Sequence, residues 1–183
     1  MRVSIRTAQP EDAPALERLI ERSVRGLSAG CYTSSQIESA LIYVFGVDTQ
    51  LIADGTYYVA ELDGRIAGCA VGCGGWSKRR TLYGGDQMKS GEDDLLDPAT
   101  DAARIRAFFI DPDFARRGVG RKLIEACERA AADAGFKRFE LGATLPGEPL
   151  YTAAGYTAIE RIDHAMPDGE VLPIILMQKR IEE

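Results

Sequence analysis

The segment Phe109–Leu123, FIDPDFARRGVGRKL, joins an apolar stretch to a helical one through a turn that contains glycine. Four cations lie in this turn or directly after it, namely Arg116, Arg117, Arg121 and Lys122. Because the N-terminus of a helix carries partial positive charge, each cation placed there is unfavourable by about 0.3–1 kcal/mol. The segment therefore needs a source of negative charge.

A bound anion is one such source. The N–H groups of a first helical turn have no intrahelical partner, and Gly118 and Gly120 let the backbone approach a phosphate closely. The alternative is that Asp111 and Asp113 neutralise the cations locally, while the glycines only shape the turn. Two acids against four cations leave an excess of positive charge, which favours an anion site.

The sequence on either side of this segment has the pattern of an α/β protein. Ala103–Ile110 is a strand that ends apolar on both faces, which is typical of the centre of a sheet. Residues 117–134 have apolar positions at helical spacing, and Gly135 follows them. The remaining predicted elements are a strand at Val3–Ala8, a helix with Leu16, Leu19, Ile20 and Val24 on one face, a helix near residues 33–45 with Ile37, Leu41 and Val44 on one side, a hairpin turning at Asp63-Gly64, a strand at Phe136–Thr144, a short helix ending at Gly155, and a hairpin turning at residues 167–169. We expect one domain over residues 1–183 in the order βααββ, loop, βαβαββ.

Composition restricts the function. The 183 residues are 45% hydrophobic and 27% charged, which suits one domain with a sizeable core. A net charge of −6 argues against binding to nucleic acid or to an anionic membrane surface. No apolar run approaches the ~18 residues of a membrane span, and the N-terminus lacks a signal-peptide core, so we predict a cytoplasmic protein. The four cysteines fit reduced, mostly buried thiols, and no metal site is expected.

Two nucleotide-binding motifs are excluded. A dinucleotide fingerprint counted from Gly118 reaches Leu123 where glycine or alanine is required, and no P-loop motif occurs. Instead, the strand, the ARRGVG turn, the helix and the later PLYTAAGY together resemble the GNAT (GCN5-related) N-acetyltransferase superfamily. The resemblance extends from VSIRTAQPEDAPAL to the final hairpin. It implies an α/β GNAT fold, in which a mixed, mostly antiparallel sheet of about seven strands is flanked by about four helices.

The resemblance also implies acetyl-CoA as acyl donor. In this family, backbone amides of the loop after the fourth strand bind the pyrophosphate, and the strand before it holds the pantetheine and the acetyl carbonyl. The residues so assigned are Arg116, Arg117, Gly118, Val119, Gly120 and Arg121 in the loop, and Phe108, Phe109 and Ile110 in the strand. The family signature begins with Gln or Arg where this chain has Ala115. Thr144 stands where the family often has an Asn that contacts the cofactor.

Tyr151 corresponds to the tyrosine that commonly protonates the departing CoA thiolate in such proteins. A phenol is a competent donor, because its pKa of ~10 lies near the ~8.5 of a thiol. The alternative is that Tyr151 only packs beside Gly155.

An attacking amine must also lose a proton, so a base or a chain of water molecules is needed. Glu140 is the first candidate, since it lies on the strand expected to diverge from RAFFI. His164, the only histidine, lies on the hairpin that often borders the acceptor pocket and has a suitable intrinsic pKa. The alternative for Glu140 is an outward-facing strand residue without a catalytic role. The alternative for His164 is a structural residue that packs on its strand.

The acceptor site is predicted at the end of the third strand, where Trp76, Arg79, Arg80 and Tyr83 lie close together. Such side chains suit an acceptor with an anionic or aromatic part. The alternative is a core tryptophan followed by a solvated basic turn. Residues 84–101 are polar and acidic and predict a mobile loop, either a solvated insertion or a substrate lid.

The leading prediction is acetyl-CoA-dependent transfer of an acetyl group to a primary amine of a small molecule, by direct attack in a ternary complex. The alternative from another class is a CoA-binding regulatory module without catalysis. A nucleotide-binding oxidoreductase lacks its fingerprint. The sequence allows a homodimer and predicts neither a nucleic-acid nor a membrane partner.

Overall fold

The computed structural model of the protein describes residues 2–63 and 69–182. The strands are β1 (Val3–Thr7), β2 (Tyr57–Leu62), β3 (Ala70–Ser77), β4 (Ala103–Ile110), β5 (Arg138–Thr144), β6 (Thr157–Ala165) and β7 (Val171–Arg180). The α-helices are α1 (Ala13–Leu27), α2 (Ser34–Tyr43), α3 (Thr49–Ala53), α4 (Val119–Asp133) and α5 (Glu148–Ala153). Single 3₁₀ turns occupy Pro10–Asp12, Asp86–Met88 and Pro112–Phe114.

The strands form one mixed sheet in the order β1-β2-β3-β4-β5-β7-β6. The pair β4–β5 is parallel, and the other neighbouring pairs are antiparallel. The seven-stranded, mostly antiparallel α/β sheet predicted from the sequence is therefore confirmed, with β4 at its centre. The short helix α3 is an addition to the predicted elements.

Helices cover both faces of this sheet. Tyr57 and Val59 of β2 pack with α1 and α3, whereas the intervening Tyr58 and the following Ala60 pack on the α4 side. This alternation follows from the two-residue period of a strand. The predicted apolar faces of both long helices are buried in the core, at Leu16, Leu19, Ile20 and Val24 in α1 and at Val119, Leu123 and Cys127 in α4.

The central strands β4 and β5 separate soon after they meet. Within the described residues they pair at two positions, Ala103 with Phe139 and Arg104 with Glu140. Beyond Arg104 the β5 side of β4 has no strand partner among the described residues, so this edge faces a gap in the sheet. Side chains already pair with two backbone groups of this part of β4, since the Ile110 N–H donates to Ser23 Oγ at 3.0 Å and the Ala107 C=O accepts from the Tyr57 hydroxyl at 3.1 Å. Because such groups are obligatory hydrogen-bonding groups, this gap is a place where another chain or a ligand can pair.

A bulge in β4 accompanies this divergence. Between the pairs Cys73–Phe109 and Gly75–Arg106, β3 advances by two residues and β4 by three. The extra residue coincides with Ala107, whose φ of 56° is a strained value for alanine. Bulges bend a strand and increase its twist, which is how β4 turns away from β5.

Several expectations for other segments need correction or lie outside the described residues. Gly64, half of the predicted hairpin turn, lies outside them. Cys73 and Cys127 are buried as expected, but Cys31 and Cys69 are exposed. No helix in the described part of the chain is long and apolar enough to cross a membrane.

The segment 84–101, predicted as a mobile loop, has several fixed points. It contains the 3₁₀ turn Asp86–Met88, and the buried side chain of Leu96 packs in the core that includes Trp76 and α4. The Leu96 N–H donates to the carbonyl oxygen of Lys78 at 2.7 Å. The turn near its start and the contacts of Leu96 near its end hold the segment against the rest of the protein. Its first residues form part of the wall around the site described next.

Candidate active site

A cavity of about 650 Å³ lies where β4 and β5 diverge. We call one part of it the α4 half. It is lined by the end of β4 from Phe108, the β4–α4 connection, the start of α4, and the α5 region from Thr144 to Ala153. We call the other part the Tyr83 half, lined by residues 44–46, residues 82–85, Arg106 and Gly142. The C-terminal part of α1, from Ser23 to Ser28, forms a side wall.

The turn that opens α4 presents backbone rather than side chains. Gly118, the N-cap residue, has a φ of 83°, and Arg116 has a φ of 62°. A Cβ on Gly120 would lie 2.8 Å from Cδ2 of Leu150, so α4 begins in close contact with α5. The first N–H groups of the helix have no intrahelical acceptor. These features make a backbone cradle for an anion at this end of the cavity.

The alternative of local neutralisation by Asp111 and Asp113 does not match the structure. Arg22 of α1 pairs with both carboxylates, at 3.1 Å to Asp111 and 3.3 Å to Asp113. Asp111 also accepts the backbone N–H of Asp113 at 2.9 Å. The two acids are thus held by a cation from a different helix. The excess positive charge of the β4–α4 connection remains.

The cations of the β4–α4 connection and of the start of α4 differ in whether they line the cavity. Arg116 and Arg121 line the cavity, and Arg121 also contacts Glu125 at 3.2 Å on the exposed surface of α4. Arg117, predicted as a cofactor residue, does not line the cavity, because its guanidinium lies over the ring of Phe114 at 5.7 Å. The other predicted loop residues, Gly118, Val119 and Gly120, do line it.

The predicted strand residues Phe108, Phe109 and Ile110 all line the cavity. Phe108 occupies its position because Gly74 has no side chain, and a Cβ there would lie 2.7 Å from the Phe108 ring. The ring of Phe108 meets that of Tyr151 edge to face, with centroids 6.0 Å apart. The apolar strand and the tyrosine predicted as catalytic therefore share one wall.

Tyr151 is buried and lines the cavity from α5. Its ring also contacts that of Tyr156 at 6.0 Å. Among the described residues its hydroxyl has no hydrogen-bond partner, in contrast to the Tyr156 hydroxyl, which donates to Glu128 at 2.9 Å. Burial raises the pKa of Tyr151, so the phenol stays protonated over the whole physiological range.

Thr144, at the end of β5, lines the cavity as predicted. Its Oγ1 accepts the backbone N–H of Gly147 at 3.2 Å, and the turn into α5 forms around this contact. The side chain therefore helps to position the helix that carries Tyr151.

Tyr83 and His164 form a pair. Tyr83 lines the cavity and packs on Gly142 of β5, where a Cβ would lie 2.9 Å from the Tyr83 ring. The Tyr83 hydroxyl lies 2.9 Å from Nδ1 of His164, and the two rings meet edge to face at 5.4 Å. Burial raises the pKa of Tyr83 and lowers that of His164. His164 itself is not among the residues that line the cavity.

Sequence reasoning missed a buried ion pair behind the Tyr83 half. Arg106 of β4 and Asp48, the N-cap of α3, lie 2.9 Å apart, and both side chains are almost fully buried. Arg106 also donates to the carbonyl oxygen of Gly84, and Lys89 pairs with Asp48. These contacts fix residues 84–89 against β4. No local pattern marks them, because Asp48 and Arg106 are distant in sequence.

Three predicted acceptor residues lie elsewhere. Trp76 is buried in the core with its ring 6.0 Å from that of Phe136, as the core alternative proposed. Arg79 pairs with Asp54 at 2.8 Å and does not reach the cavity. Arg80 is absent from the lining as well.

Glu140, the first candidate for the base, is also outside the lining. It lies where β4 and β5 still pair, forms an ion pair with Arg104, and accepts from Nε2 of Gln178 at 2.9 Å. Its carboxylate therefore has partners within the sheet, and its position gives no support to a role in proton transfer.

Comparisons with known proteins agree with this architecture. The profile of the Acetyltransferase (GNAT) family matches residues 23–156. No curated protein matches the sequence. Among solved structures, the chain is similar to a GCN5-related N-acetyltransferase from Rhodopseudomonas palustris, with 24% identity, a TM-score of 0.71, and coverage of 99% of this chain and 97% of that one.

Two further neighbours were solved with a ligand. One is yncA from Salmonella typhimurium with its cofactor acetyl-CoA, at 18% identity, a TM-score of 0.64, and coverage of 100% of this chain and 96% of that one. The other is the PaiA N-acetyltransferase from Thermoplasma acidophilum in complex with coenzyme A, at 14% identity, a TM-score of 0.63, and coverage of 98% and 99%. At these identities the structural likeness establishes the fold, while the family profile covers well over half of the sequence. The chain belongs to the GNAT family of acetyltransferases.

Proposed function

We propose that the protein transfers the acetyl group of acetyl-CoA to the primary amine of a small molecule, by direct attack within a ternary complex. The observation that carries this proposal is one cavity with three kinds of surface. Cations and the start of a helix lie at one end, a strand edge and a buried phenol lie along it, and the other end is lined by apolar and aromatic side chains together with Arg106. A diphosphate, a pantetheine arm and an amine would need these surfaces in this order.

The α4 half fits a diphosphate. The N–H groups that open α4 lack intrahelical partners, and the side chains of Arg116 and Arg121 line the same region. Because Arg22 holds Asp111 and Asp113, the acids of the connection compete little with a bound anion. Structural neighbours with coenzyme A or acetyl-CoA give independent support for this ligand.

The gap between β4 and β5 fits the pantetheine arm. Beyond Arg104, the backbone of β4 lacks a β5 partner. Phe109 pairs with Cys73 of β3, so its neighbour Phe108 is the residue that offers N–H and C=O groups to the amides of an extended ligand. The ligand would pair with the sheet in place of a strand. The bound donor supplies an activated thioester, whose carbonyl an amine attacks.

Tyr151 is proposed to protonate the departing thiolate. Its hydroxyl is protonated and unpartnered within the described structure, and its ring is fixed by Phe108 and Tyr156. Transfer of an acetyl group from a thioester to an ammonium compound releases one proton. The attacking nitrogen loses two protons in total, of which one ends on the thiol by way of Tyr151 and one must leave the site.

Direct attack is favoured over a covalent acetyl-cysteine. No cysteine of the described residues lines the cavity. Cys73 and Cys127 are buried, and burial raises the pKa of Cys73 to about 12 and also raises that of Cys127. A thiol with such a pKa is almost entirely protonated near neutral pH and is a poor nucleophile.

The acceptor is proposed to be a small amine with an apolar or aromatic body. In the Tyr83 half, the side chains of Val44, Phe45, Leu82 and Tyr83 line the cavity, and no carboxylate of the described residues does so. A cationic polyamine would find no counter-charge there. An arylalkylamine or the amino group of an apolar amino acid fits this chamber better.

The test is thiol release from acetyl-CoA in the presence of primary amines. A suitable panel contains 2-phenylethylamine, tryptamine, phenylalanine, spermidine and a short peptide, with acetyl-CoA alone as the control. We expect amine-dependent thiol release, fastest with the apolar amines. Tight CoA binding without thiol release for any amine would instead favour the regulatory alternative, and absence of CoA binding would overturn the proposal.

A further inference from the structure

The cavity lacks an acidic side chain that could take the proton of the acceptor. Within residues 2–63 and 69–182, no Asp, Glu or His side chain lines it. Its titratable lining consists of Arg106, Arg116, Arg121 and the two tyrosines Tyr83 and Tyr151. An ammonium group cannot attack a thioester until it loses a proton. The group that finally accepts this proton therefore lies outside the described lining, and the proton reaches it through a lining residue or through water.

Tyr83 is the lining residue with such a connection. It lies in the half of the cavity opposite the start of α4, and its hydroxyl is 2.9 Å from Nδ1 of His164. His164 lies on the edge strand β6, behind Tyr83 as seen from the cavity, and it is partly exposed to solvent. Tyr151 has no comparable partner, since its hydroxyl is unpartnered among the described residues. Among the described residues, the Tyr83 hydroxyl therefore has a partner that can accept its proton, and the Tyr151 hydroxyl does not.

We propose that Tyr83 and His164 form a proton relay that carries the proton of the acceptor's ammonium group from the cavity to solvent. The proposal rests on the acetyl transfer proposed above. An N–H bond of the ammonium group breaks as the Tyr83 oxygen takes that proton, while the original Tyr83 proton passes to Nδ1 of His164. The imidazolium then gives its Nε2 proton to water. No charge is left on Tyr83 at the end of the transfer, but His164 is left with its proton on Nδ1. Proton exchange with water must restore the Nε2–H tautomer before the relay acts again.

The surroundings of His164 keep it available as an acceptor. Its cross-strand partner on β7 is the apolar Leu172. On β6, Arg161 and Asp163 point to the other face of the strand and pair with each other at 2.8 Å. On the segment that carries Tyr83, Arg79 pairs with Asp54, and Lys89 pairs with Asp48 and Asp86.

The charged groups named from these described elements pair with other charges and not with His164. Burial lowers the pKa of His164 below its usual 6.5, so the neutral ring predominates at pH 7. The relay is therefore active above that lowered pKa and is lost as the pH falls through it.

The tautomer of His164 tests the relay without any acceptor. The chain contains a single histidine, so the ring ¹⁵N signals of the tag-free protein need no assignment. The relay requires Nε2–H with Nδ1 as acceptor of the Tyr83 hydroxyl, and Tyr83→Phe should shift the Nδ1 signal. A ring with the proton on Nδ1, donating to the Tyr83 oxygen, would overturn the proposal. Tyr32→Phe is the matched control, because its hydroxyl bonds Pro173 of the same hairpin and does not line the cavity.

The kinetic test compares Tyr83→Phe and His164→Gln with wild type, using the amine of the panel that wild type acetylates fastest. At pH 7 we expect kcat to fall about 10²-fold or more in both variants, with CoA affinity preserved. The acidic limb of the wild-type kcat profile should disappear in His164→Gln.

The pH dependence separates a relay from a packing role. Near pH 9.5 a primary amine of pKa about 10 arrives partly deprotonated, so the variants should recover towards wild type. A loss that is equal at every pH, or wild-type kinetics in both variants, would overturn the relay while leaving acetyl transfer intact. If wild type acetylates no amine, the proposed function itself fails, and the tautomer measurement still decides whether the pair has the geometry of a relay.

Discussion

The two halves of the cavity are built in different ways. The α4 half comes largely from one continuous segment, Phe108–Arg121, and offers backbone groups at the β4 edge and the start of α4. The Tyr83 half is assembled from residues 44–46, residues 82–85, Arg106 and Gly142, and it depends on side chains. A backbone site tolerates changes of side chain but requires glycine at defined positions. A side-chain site can change its specificity by single substitutions. Each of its side chains must also be held in position by contacts of its own.

The largest expected effect concerns Tyr151, the side chain on which the α4 half depends. Tyr151→Phe keeps the ring contacts with Phe108 and Tyr156 but removes the proton donor. We expect kcat to fall by about 10²–10⁴-fold, with the affinity for CoA almost unchanged. Steady-state kinetics and calorimetry measure the two quantities. Tyr156→Phe, which changes a neighbouring phenol outside the cavity lining, should retain near-normal kcat, and equal behaviour of both variants would remove Tyr151 from the mechanism.

The next effect tests the support of the Tyr83 half. Asp48→Asn keeps an oxygen that can cap α3 but leaves the buried Arg106 without its counter-charge. Breaking a buried pair in this way costs about 3–5 kcal/mol of unfolding free energy. Denaturant titration measures this cost. The exposed pair Arg161–Asp163 is the control, and Asp163→Asn should cost no more than about 1 kcal/mol. Equal, small losses would show that the buried pair does not hold this wall.

A smaller effect is expected from the backbone of the α4 half. Gly120→Pro removes one N–H from the cradle and also adds a Cβ against Leu150, whereas Gly120→Ala adds the Cβ alone. One charge-assisted hydrogen bond contributes about 1.5–3 kcal/mol, so the proline variant should bind CoA about 10- to 100-fold more weakly than the alanine variant. Calorimetry on both folded variants gives this ratio. Equal affinities would place the diphosphate away from the start of α4.

The smallest effect concerns the acids of the same connection. Arg22→Gln releases Asp111 and Asp113, which then oppose the excess positive charge of the loop. CoA affinity should fall about two- to five-fold at low salt, and the difference should shrink as added salt screens these exposed charges. Arg25→Gln on the same helix, which releases Glu21 and Glu38 instead, is the control. A larger loss in the control would contradict the role assigned to Arg22.

The same contrast explains what could be predicted from the sequence. The turn around Gly118 and Gly120 combines an apolar strand, glycines, cations and a helix within fifteen residues, so local sequence was sufficient to select residues that line the cavity. That this turn binds an anion remains a prediction. The local sequence could not show whether Asp111 or a bound anion neutralises the loop cations. The answer depends on Arg22, which pairs with Asp111 from a helix that is distant in sequence.

The Tyr83 half gave no such local signal. Trp76 and Tyr83 are both aromatic residues near the end of one strand, yet Trp76 faces the core and Tyr83 faces the cavity. Arg104 and Arg106 occupy equivalent positions in the sequence pattern, but their partners are Glu140 and Asp48. Only strand register and chain packing decide such pairings, and neither is encoded in a short window of sequence.

The structure of the protein with bound CoA tests the central claim most directly. We predict the diphosphate at the N–H groups that open α4, the pantetheine arm along β4 from Phe108 to Ile110, and the sulfur within hydrogen-bonding reach of the Tyr151 hydroxyl. Tyr83 and His164 should remain paired beyond the sulfur, on the side that receives the amine. A diphosphate bound away from the start of α4, or a sulfur remote from Tyr151, would contradict the account.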